Sequence, residues 1–507
     1  MEVLIHAFTL ISNYQVIFAV VLAGSFGLFM GAMPGLTSSM TLALLVPITF
    51  FLDPIPALAV MASAATMAIF AGDIPGALLK IPGTPASAAY CEDANMLTKQ
   101  GKAFHALGLG LIASVIGGFI SVVILFLGAP ILARFALNFS SYEYFWLACL
   151  GLSCATLVSS EQPQKGFASL LLGLLVATIG LDQTTGYARF TFGNVDLMGG
   201  ISFIPMMIGM FALAEVLNTF TQKEKKDTNK VAQIKTTSIE TLLHKTWIMK
   251  SGVTRSSLIG TLTGAIPGAG ADIASWVSYA LSKKLSKQPE LYGKGSEEGI
   301  SSASAANNAS IAGGWIPSLV FGIPGDSGAA IIIGVLYLKD LAPGPTLFLY
   351  NPEILYATFG IFLLANLFLF FAGFKLIKLS SYILRVPYSV LAPLIILFCV
   401  LGSFSINNSW FGVIVMCVSG LVGWLMIQAK MPVAPAILGM VLGPLLEKNL
   451  LTSIVKSQGN IVSFFERPVA GTIGGITIVI WALIIVNFIR KSFQKREVEE
   501  QTNFEAN

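Results

Sequence analysis

The residues best suited to bind a ligand surround four Pro-Gly pairs that interrupt otherwise apolar sequence. The pairs are Pro34-Gly35, Pro82-Gly83, Pro267-Gly268 and Pro324-Gly325. Proline removes a backbone amide and clashes with the preceding turn, so each pair ends or breaks a helix. A helix that restarts after such a break offers free amides and a partial positive charge, which suit a carboxylate or a phosphate. The four breaks therefore predict an anion-binding site, although a single one could equally be a packing kink.

Polar side chains beside the breaks could complete this site. Hydroxyls follow the breaks in both halves, and Asn307-Asn308 lies just before the last one. Asparagine amides donate and accept hydrogen bonds, so they suit a carboxylate or a sodium ion, and they could equally join two helices. The predicted substrate-binding residues are Pro34, Gly35, Thr37, Lys80, Pro82, Gly83, Thr84, Pro267, Gly268, Asn307, Asn308, Pro324, Gly325 and Ser327.

Charged side chains near the breaks are further candidates, because charge is costly at membrane depth. Lys80 directly precedes the Ile81-Pro82-Gly83 break and could complete an anion site; a salt bridge with Asp73 or snorkelling to the interface is the alternative. Asp272 and Asp326 could bind a coupling cation, and each could equally be a helix N-cap.

The spacing of the breaks indicates an internal duplication. Residues 30–89 and 262–330 carry the same order of motifs, and Ile-Pro precedes the second break by seven residues in both halves, as Ile74-Pro75 and Ile316-Pro317. Paired, Pro/Gly-interrupted apolar segments at corresponding places indicate a transporter's binding site. Both second breaks are predicted to be re-entrant, at residues 72–89 and 312–330.

The composition indicates which class of fold positions these residues. The chain has 507 residues, of which 55% are hydrophobic and 11% charged, and its mean hydropathy is +0.78. Soluble proteins carry about 25% charged residues. The fold class predicted is an all-α polytopic membrane protein with about 12 transmembrane helices and two re-entrant broken-helix hairpins in two structural repeats.

The domain limits follow from one long polar stretch. Residues 1–220 form the first repeat, 221–255 a linker with eight Lys/Arg, 256–490 the second repeat and 491–507 a tail. The Lys/Arg excess places linker and tail in the cytoplasm. No Lys/Arg precedes Lys80, which favours an outside N-terminus and hence inverted repeats.

Enzymatic and metal chemistry have little support in the sequence. The five cysteines show no C-x-x-C spacing, the three histidines do not cluster, and no nucleophile stands with a matching base. We expect no cofactor, no metal and no nucleic acid. A channel or ion exchanger without an organic substrate is the competing class, and the duplicated rather than fourfold arrangement argues against it.

The same motifs resemble a known family. The chain is similar to the large membrane subunit of tripartite tricarboxylate transporters (TctA-like) over about residues 15–490. The motifs that carry the resemblance are 31–35, 81–85, 180–193, 264–268, 306–309, 322–325, 343–345 and 438–444.

The resemblance implies a bacterial inner-membrane permease. It implies a small membrane subunit (TctB-like), a periplasmic solute-binding protein (TctC-like) and uptake of a di- or tricarboxylate driven by H⁺ or Na⁺. It leaves a homo-oligomer open. Two departures from the family pattern put the coupling ion and substrate in question: Ser304 stands where an acidic residue is expected, and Lys80 where a neutral one is.

Overall fold

The described chain is almost entirely helical. A computed structural model describes residues 2–158, 163–182, 186–221, 236–266, 270–384 and 388–482. Gly180–Leu181 (β1) and Ala188–Arg189 (β2) pair antiparallel as a small hairpin. The helices of the first half are α1 Glu2–Ile11, α2 Tyr14–Gly31, α3 Ser38–Phe50, α4 Pro54–Ala71, α5 Asp73–Leu79, α6 Cys91–Lys99, α7 Ala103–Ala136, α8 Ser141–Val158, α9 Pro163–Ala177, α10 Phe203–Ile208 and α11 Ala214–Thr221.

The second half begins inside the stretch predicted to be a linker. Of that stretch, residues 222–235 lie outside the described residues, whereas helix already begins at Ile239 and Leu242 is fully buried against α7. The helices are α12 Ile239–Ile248, α13 Lys250–Gly264, α14 Gly270–Leu285, α15 Glu297–Phe321, α16 Ser327–Leu338, α17 Pro345–Tyr350, α18 Pro352–Ile383, α19 Tyr388–Asn407, α20 Trp410–Gln428, α21 Ala434–Lys456, α22 Ser463–Glu466 and α23 Pro468–Ala482.

Seven helical segments of the described chain are long and apolar enough to span a membrane, counting Pro54–Leu79 (α4 with α5) and Phe203–Thr221 (α10 with α11) as one each; six more are apolar but shorter. This confirms the all-α polytopic class. The long helices alone fall short of the predicted dozen crossings, and the shorter helices make up the difference only if they also cross. The crossing number, the re-entrant hairpins and the inverted orientation therefore stay predictions.

Corresponding helices pack in the same way in both halves. Gly27 and Gly31 of α2 face Ala64 and Ala68 of α4, where an added Cβ would come within 3.0 Å of the facing Cα atoms. In the second half Gly260 and Gly264 of α13 face Ala306 and Ser310 of α15, again within 3.0 Å. Small residues four apart allow such close helix contact in membranes. Each half therefore contains a tight helix pair that leads to its first break.

The second break of each half has the same backbone geometry. α4 passes directly into α5, which ends at Lys80 with a positive φ of 58°; α15 ends at Gly322 with φ 69°. The next residue in each half donates its amide to the carbonyl of a proline six residues earlier, Ile81 to Pro75 and Ile323 to Pro317, both at 3.3 Å. Helix therefore continues through Pro75 and Pro317 and stops only where the chain turns left-handed.

The predicted re-entrant segment of the second half is distributed over two observed helices and the break between them. The second-half segment from Asn307 to Ser318 is part of the 25-residue helix α15. The predicted re-entrant residues 312–330 comprise the end of α15, the break and the start of α16. The sequence 297–306 is weakly hydrophobic yet helical, because α15 is buried along almost its whole length and its serines and alanines fit between neighbouring helices.

Candidate functional site

A cavity of about 640 Å³ lies where the breaks of the two halves meet. Its wall includes Thr37, Ser38 and Ser39 after the first break and Thr84 after the second. The second half contributes Gly270 to Asp272 and Asp326 to Ala329. The residues that close the remaining wall are apolar or come from later helices: Leu42, Ala65, Ile69, Pro85, Met210, Phe211, Glu215, Ile311, Trp315, Ile332, Ile427, Lys430, Met431, Pro432, Val433, Ala434 and Leu438.

The breaks contact each other across the halves. Ser39 at the start of α3 shares a hydrogen bond of 2.7 Å with Ser327 at the start of α16. On the other side, Trp276 of α14 donates through Nε1 to the carbonyl of Pro85 at 3.3 Å. The helix that follows the first break of each half therefore contacts the segment that follows the second break of the other half.

Three helix N-termini lie at the wall of this cavity. Thr37 caps α3, with its Oγ1 accepting from the Met40 amide at 3.2 Å. Asp326 caps α16, with Oδ1 accepting from the Ala329 amide at 2.7 Å. The third helix, α14, begins at Gly270, whose backbone lies against Asp326. Free amides and the partial positive charge of each terminus favour an anion between them.

The remaining break, Pro82-Gly83, is followed by a compact turn rather than by a long helix. The Thr84 amide donates to Ser87 Oγ and the Ser87 amide to Thr84 Oγ1, both at 3.1 Å. These reciprocal bonds resemble a capping box, which satisfies amides that would otherwise lack partners. Thr84 is thereby held with its backbone at the cavity wall.

The prolines and glycines of the motifs support the wall rather than line it. Gly83 packs on Gly72, and an added Cβ would lie 2.6 Å from the Gly72 carbonyl oxygen. Gly325 packs on Gly314 in the same way, with the Gly314 Cα 3.0 Å from an added Cβ. Of the other predicted residues of this kind, Pro34, Gly35, Pro82 and Pro324 lie one to three residues before wall residues, and Pro267 and Gly268 lie outside the described residues.

The charged residues at the cavity wall are mostly acidic. They are Glu215, Asp272 and Asp326, against the single lysine Lys430. Lys430 follows α20 and is exposed at the cavity rim, with a φ of 54°. An organic anion entering alone would meet more negative than positive side-chain charge. The helix N-termini favour an anion, whereas these carboxylates favour a cation that accompanies it.

Lys80 does not reach this cavity. Its side chain is 54% exposed and its Nζ lies 2.8 Å from Glu92 Oε1. The hydrogen bond with Glu92 raises the pKa of Lys80, and the same bond lowers the pKa of Glu92. The lysine is thus paired on an exposed surface, with Glu92 and not with Asp73, so the structure gives no support to its predicted role in substrate binding.

Asn307 and Asn308 lie in buried polar clusters behind the cavity. Asn307 Nδ2 donates to Tyr90 Oη at 3.3 Å, and the Tyr90 hydroxyl donates to Asp73 Oδ1 at 2.5 Å. Asn308 Nδ2 donates at 2.8 Å both to the Ser114 carbonyl and to Asn366 Oδ1. Asn308 therefore joins α15 to α7 and α18, which is the interhelical alternative; neither residue lines the cavity.

Sequence reasoning missed three polar residues of the wall. Glu215 interrupts the apolar run of α10 and α11, and that was a usable signal because charge within such a run is costly. Lys430 gave no signal that separates it from a lysine snorkelling at a helix end. Trp315 lies inside α15 with its Nε1 buried and without a partner among the described residues, which no spacing rule predicts.

The chain is similar to a known protein family and to two curated relatives. A family model described as "Tripartite tricarboxylate transporter TctA family" matches residues 17–438. The "Uncharacterized 52.8 kDa protein in TAR-I ttuC' 3'region" of Agrobacterium vitis is 32% identical over 94% of both chains. The "Uncharacterized protein in TAR-II ttuC' 3'region" of the same organism is 36% identical over 48% of this chain and all of its own. No solved structure matches the chain significantly.

Proposed function

We propose that this chain, which belongs to the tripartite tricarboxylate transporter TctA family, takes up a di- or tricarboxylate by secondary active transport. Membership makes it a multi-pass membrane transporter and not an enzyme. The proposal adds the substrate class, the cation coupling and the place of binding. It puts the carboxylate in the cavity between the two pairs of breaks.

One observation carries the proposal: three helix N-termini from both halves converge on a single cavity. Their amides supply donors for a carboxylate without requiring arginines, and the hydroxyls of Thr37, Ser39 and Ser327 lie beside them. Interrupted helices from two repeats form the binding site of many secondary transporters. Rocking of one half against the other would then open this cavity alternately to the two sides.

The acidic wall supports coupling to a cation. Glu215, Asp272 and Asp326 would repel an anion unless a proton or Na⁺ neutralises some of their charge. The proposed cation ligands at the cavity are Asp272, in the first turn of α14, and Asp326, whose side chain lies against Gly270 at the start of the same helix. Cation and carboxylate would thus favour each other's binding, which is the requirement for symport.

The assembly follows from the family. We propose an inner-membrane location, a small TctB-like membrane subunit and a periplasmic TctC-like binding protein that delivers the carboxylate. The chain would then act as the permease on which these partners converge.

Uptake by reconstituted vesicles tests the function. Proteoliposomes with the chain and its small subunit are given binding protein, radiolabelled citrate, succinate or malate, and an imposed proton or Na⁺ gradient. Accumulation that requires both gradient and binding protein supports the proposal. Ion current that saturates without any organic solute would instead establish a channel or ion exchanger.

A further inference from the structure

A second polar cluster lies behind the cavity and belongs to both halves. It comprises Asp73 and Tyr90 from the first half and Ser304 and Asn307 from the second, and all four are at most 6% exposed. The Tyr90 hydroxyl joins Asp73 Oδ1 at 2.5 Å and receives the Asn307 amide at 3.3 Å. Ser304 lies beside this pair. The cluster therefore connects the two halves through a buried carboxyl group.

The cluster is one helical turn from the cavity on two separate helices. Ile69 lines the cavity and lies four residues before Asp73 on the continuous helix of residues 54–79. Ile311 also lines the cavity and lies four residues after Asn307 on α15. Four helical residues rise about 6 Å. Continuous helix therefore links Asp73 and Asn307 to residues of the cavity wall.

Asp73 lacks the partners that a structural carboxylate has in this same chain. Asp93, which is fully buried, accepts from the amides of Gly293, Gly295 and Ser296 at 2.8–2.9 Å and from the Tyr279 hydroxyl at 2.6 Å. Asp73 has the Tyr90 hydroxyl, and no Lys, Arg or His of the described chain pairs with it. A buried carboxylate without a positive partner is neutralised by a proton or a bound cation.

Oxygen atoms of α15 lie beside this carboxyl group. Ser304 Oγ lies next to Asp73 and Tyr90, and Asn307 Oδ1 is buried without a hydrogen bond among the described residues. Buried polar atoms normally find partners, so such an atom close to a carboxyl group points to a ligand site. Carboxylate, amide and hydroxyl oxygens are the ligands that a hard cation prefers.

The duplication does not repeat this chemistry. Pro75 and Pro317 occupy matching places, with the same hydrogen bond to Ile81 and Ile323. Trp315 therefore stands where the first half has Asp73, two residues before the proline. The close contact of Ala64 with Gly27 matches that of Ala306 with Gly260, so Ala65 stands where the second half has Asn307. The two halves therefore form one such polar cluster together, and a single bound cation would serve the whole transporter.

We propose that Asp73, Tyr90, Ser304 and Asn307 form a buried site for one monovalent cation, H⁺ or Na⁺, whose occupancy drives uptake. This inference rests on the proposed carboxylate symport, and it adds a site distinct from Asp272 and Asp326. With the cation bound, the two halves are held together through Asp73 and Asn307. Loss of the cation leaves an uncompensated buried charge, which favours separation of the halves and entry of water.

Few other titratable groups surround Asp73. Tyr90 and Cys91 face it from the segment that begins α6, and the Cys91 thiol donates to the Gly76 carbonyl at 3.3 Å. Ser304 and Asn307, which α15 presents, do not titrate. Lys80 and Glu92 pair with each other on the exposed side. Asp73 is therefore the group whose cation occupancy should change.

The test compares Asp73→Asn with wild type in proteoliposomes, using the radiolabelled citrate, succinate or malate that wild type accumulates. Asparagine keeps the shape and can still accept from Tyr90, but it cannot carry the proton and lacks the negative charge that would balance Na⁺. We expect gradient-driven accumulation to fall at least tenfold while counterflow, which needs no net cation movement, stays within about twofold. Whichever gradient, proton or Na⁺, drives wild type identifies the cation.

Three outcomes are informative. Normal gradient-driven accumulation by Asp73→Asn overturns the proposed cation site, and so does equal loss of counterflow in a correctly folded variant. Absence of accumulation by wild type instead contradicts the proposed symport itself.

Tyr90→Phe gives an independent measure, because it removes the donor to Asp73. We expect the half-saturating H⁺ or Na⁺ concentration of uptake to change at least threefold. Glu92→Gln, an exposed acid nearby, should change neither.

Discussion

Ser39 Oγ and Ser327 Oγ lie 2.7 Å apart although 288 residues separate them in the chain. Each hydroxyl stands in the first turn of a helix that restarts after a Pro-Gly break. Their hydrogen bond joins the two halves at the wall of the cavity. In such a pair one hydroxyl donates to the other, which leaves the second proton available for a ligand.

Ser39→Ala and Ser327→Ala should each weaken substrate binding. Each removes a donor near the carboxylate, and a hydrogen bond to a charged group contributes about 1.5 kcal/mol. We expect the KM of uptake to rise about tenfold with either variant. Ser405→Ala is the matched control, because Ser405 bonds to its own helix at Leu401, away from the cavity. An unchanged KM in both cavity variants would show that these hydroxyls do not bind the substrate.

Gly83→Ala and Gly325→Ala should impair transport to a similar extent. An added Cβ would meet the backbone of Gly72 at 2.6 Å or that of Gly314 at 3.0 Å. Relief of such overpacking costs about 1–3 kcal/mol and displaces the wall residues that follow. Uptake should fall about tenfold or more, and Gly83→Val should abolish it with membrane insertion intact.

Gly128→Ala is the control for these glycine variants. It lies within α7 with open space around an added Cβ, so we expect normal uptake. Normal uptake by Gly83→Ala as well would show that transport does not require the close backbone contact between Gly83 and Gly72.

Lys430→Gln should raise the KM, whereas Lys80→Gln should not. Lys430 is the basic side chain at the cavity wall, and its loss removes a positive charge near the carboxylate. Because Lys430 is exposed to water, we expect a roughly threefold to tenfold increase. The two substitutions are well matched, since both lysines have left-handed backbone, with φ 54° and 58°. A larger increase in KM for Lys80→Gln than for Lys430→Gln would show that Lys80, rather than Lys430, contributes to substrate binding.

Asp93→Ala should lower the thermal stability of the protein more than the uptake activity of the molecules that fold. It leaves three backbone amides and the Tyr279 hydroxyl without their acceptor in the buried turn before α15. We expect a loss of about 3 kcal/mol, measured as a lower Tm in detergent. Glu92→Ala changes the neighbouring acid, which is exposed, and should leave Tm nearly unchanged. Equal Tm values for both variants would contradict this assignment.

The residues of the candidate site that could be proposed from the sequence are those that depend on backbone geometry. Proline and glycine mark where a helix must stop and where two backbones must touch, so Gly83 and Gly325 could be found from spacing alone. The hydroxyls that follow such breaks, those of Thr37, Thr84 and Ser327, could then be proposed from their positions. The same rules misplaced the helix ends, because Pro75 and Pro317 are tolerated inside buried helices and the chain stops only at the left-handed residue beyond.

Contacts between distant segments could not be predicted in this way. Lys80 is twelve residues from Glu92, and their pairing depends on the path of the turn between them. Glu215 and Lys430 reach the cavity from helices outside the repeated motif. Asn307 looked equally suited to the cavity and to a helix contact, and only its position beside Tyr90 separates these alternatives.

Substrate protection of a single cysteine tests the account most directly. Ser327→Cys is introduced into a variant whose native cysteines at 91, 149, 154, 399 and 417 are replaced by alanine or serine, with Ser405→Cys as the control. Alkylation of Cys at 327 should slow at least tenfold when the transported carboxylate is present, while alkylation at 405 stays unchanged. Equal rates at 327 with and without a carboxylate that the same protein transports would show that the substrate binds elsewhere.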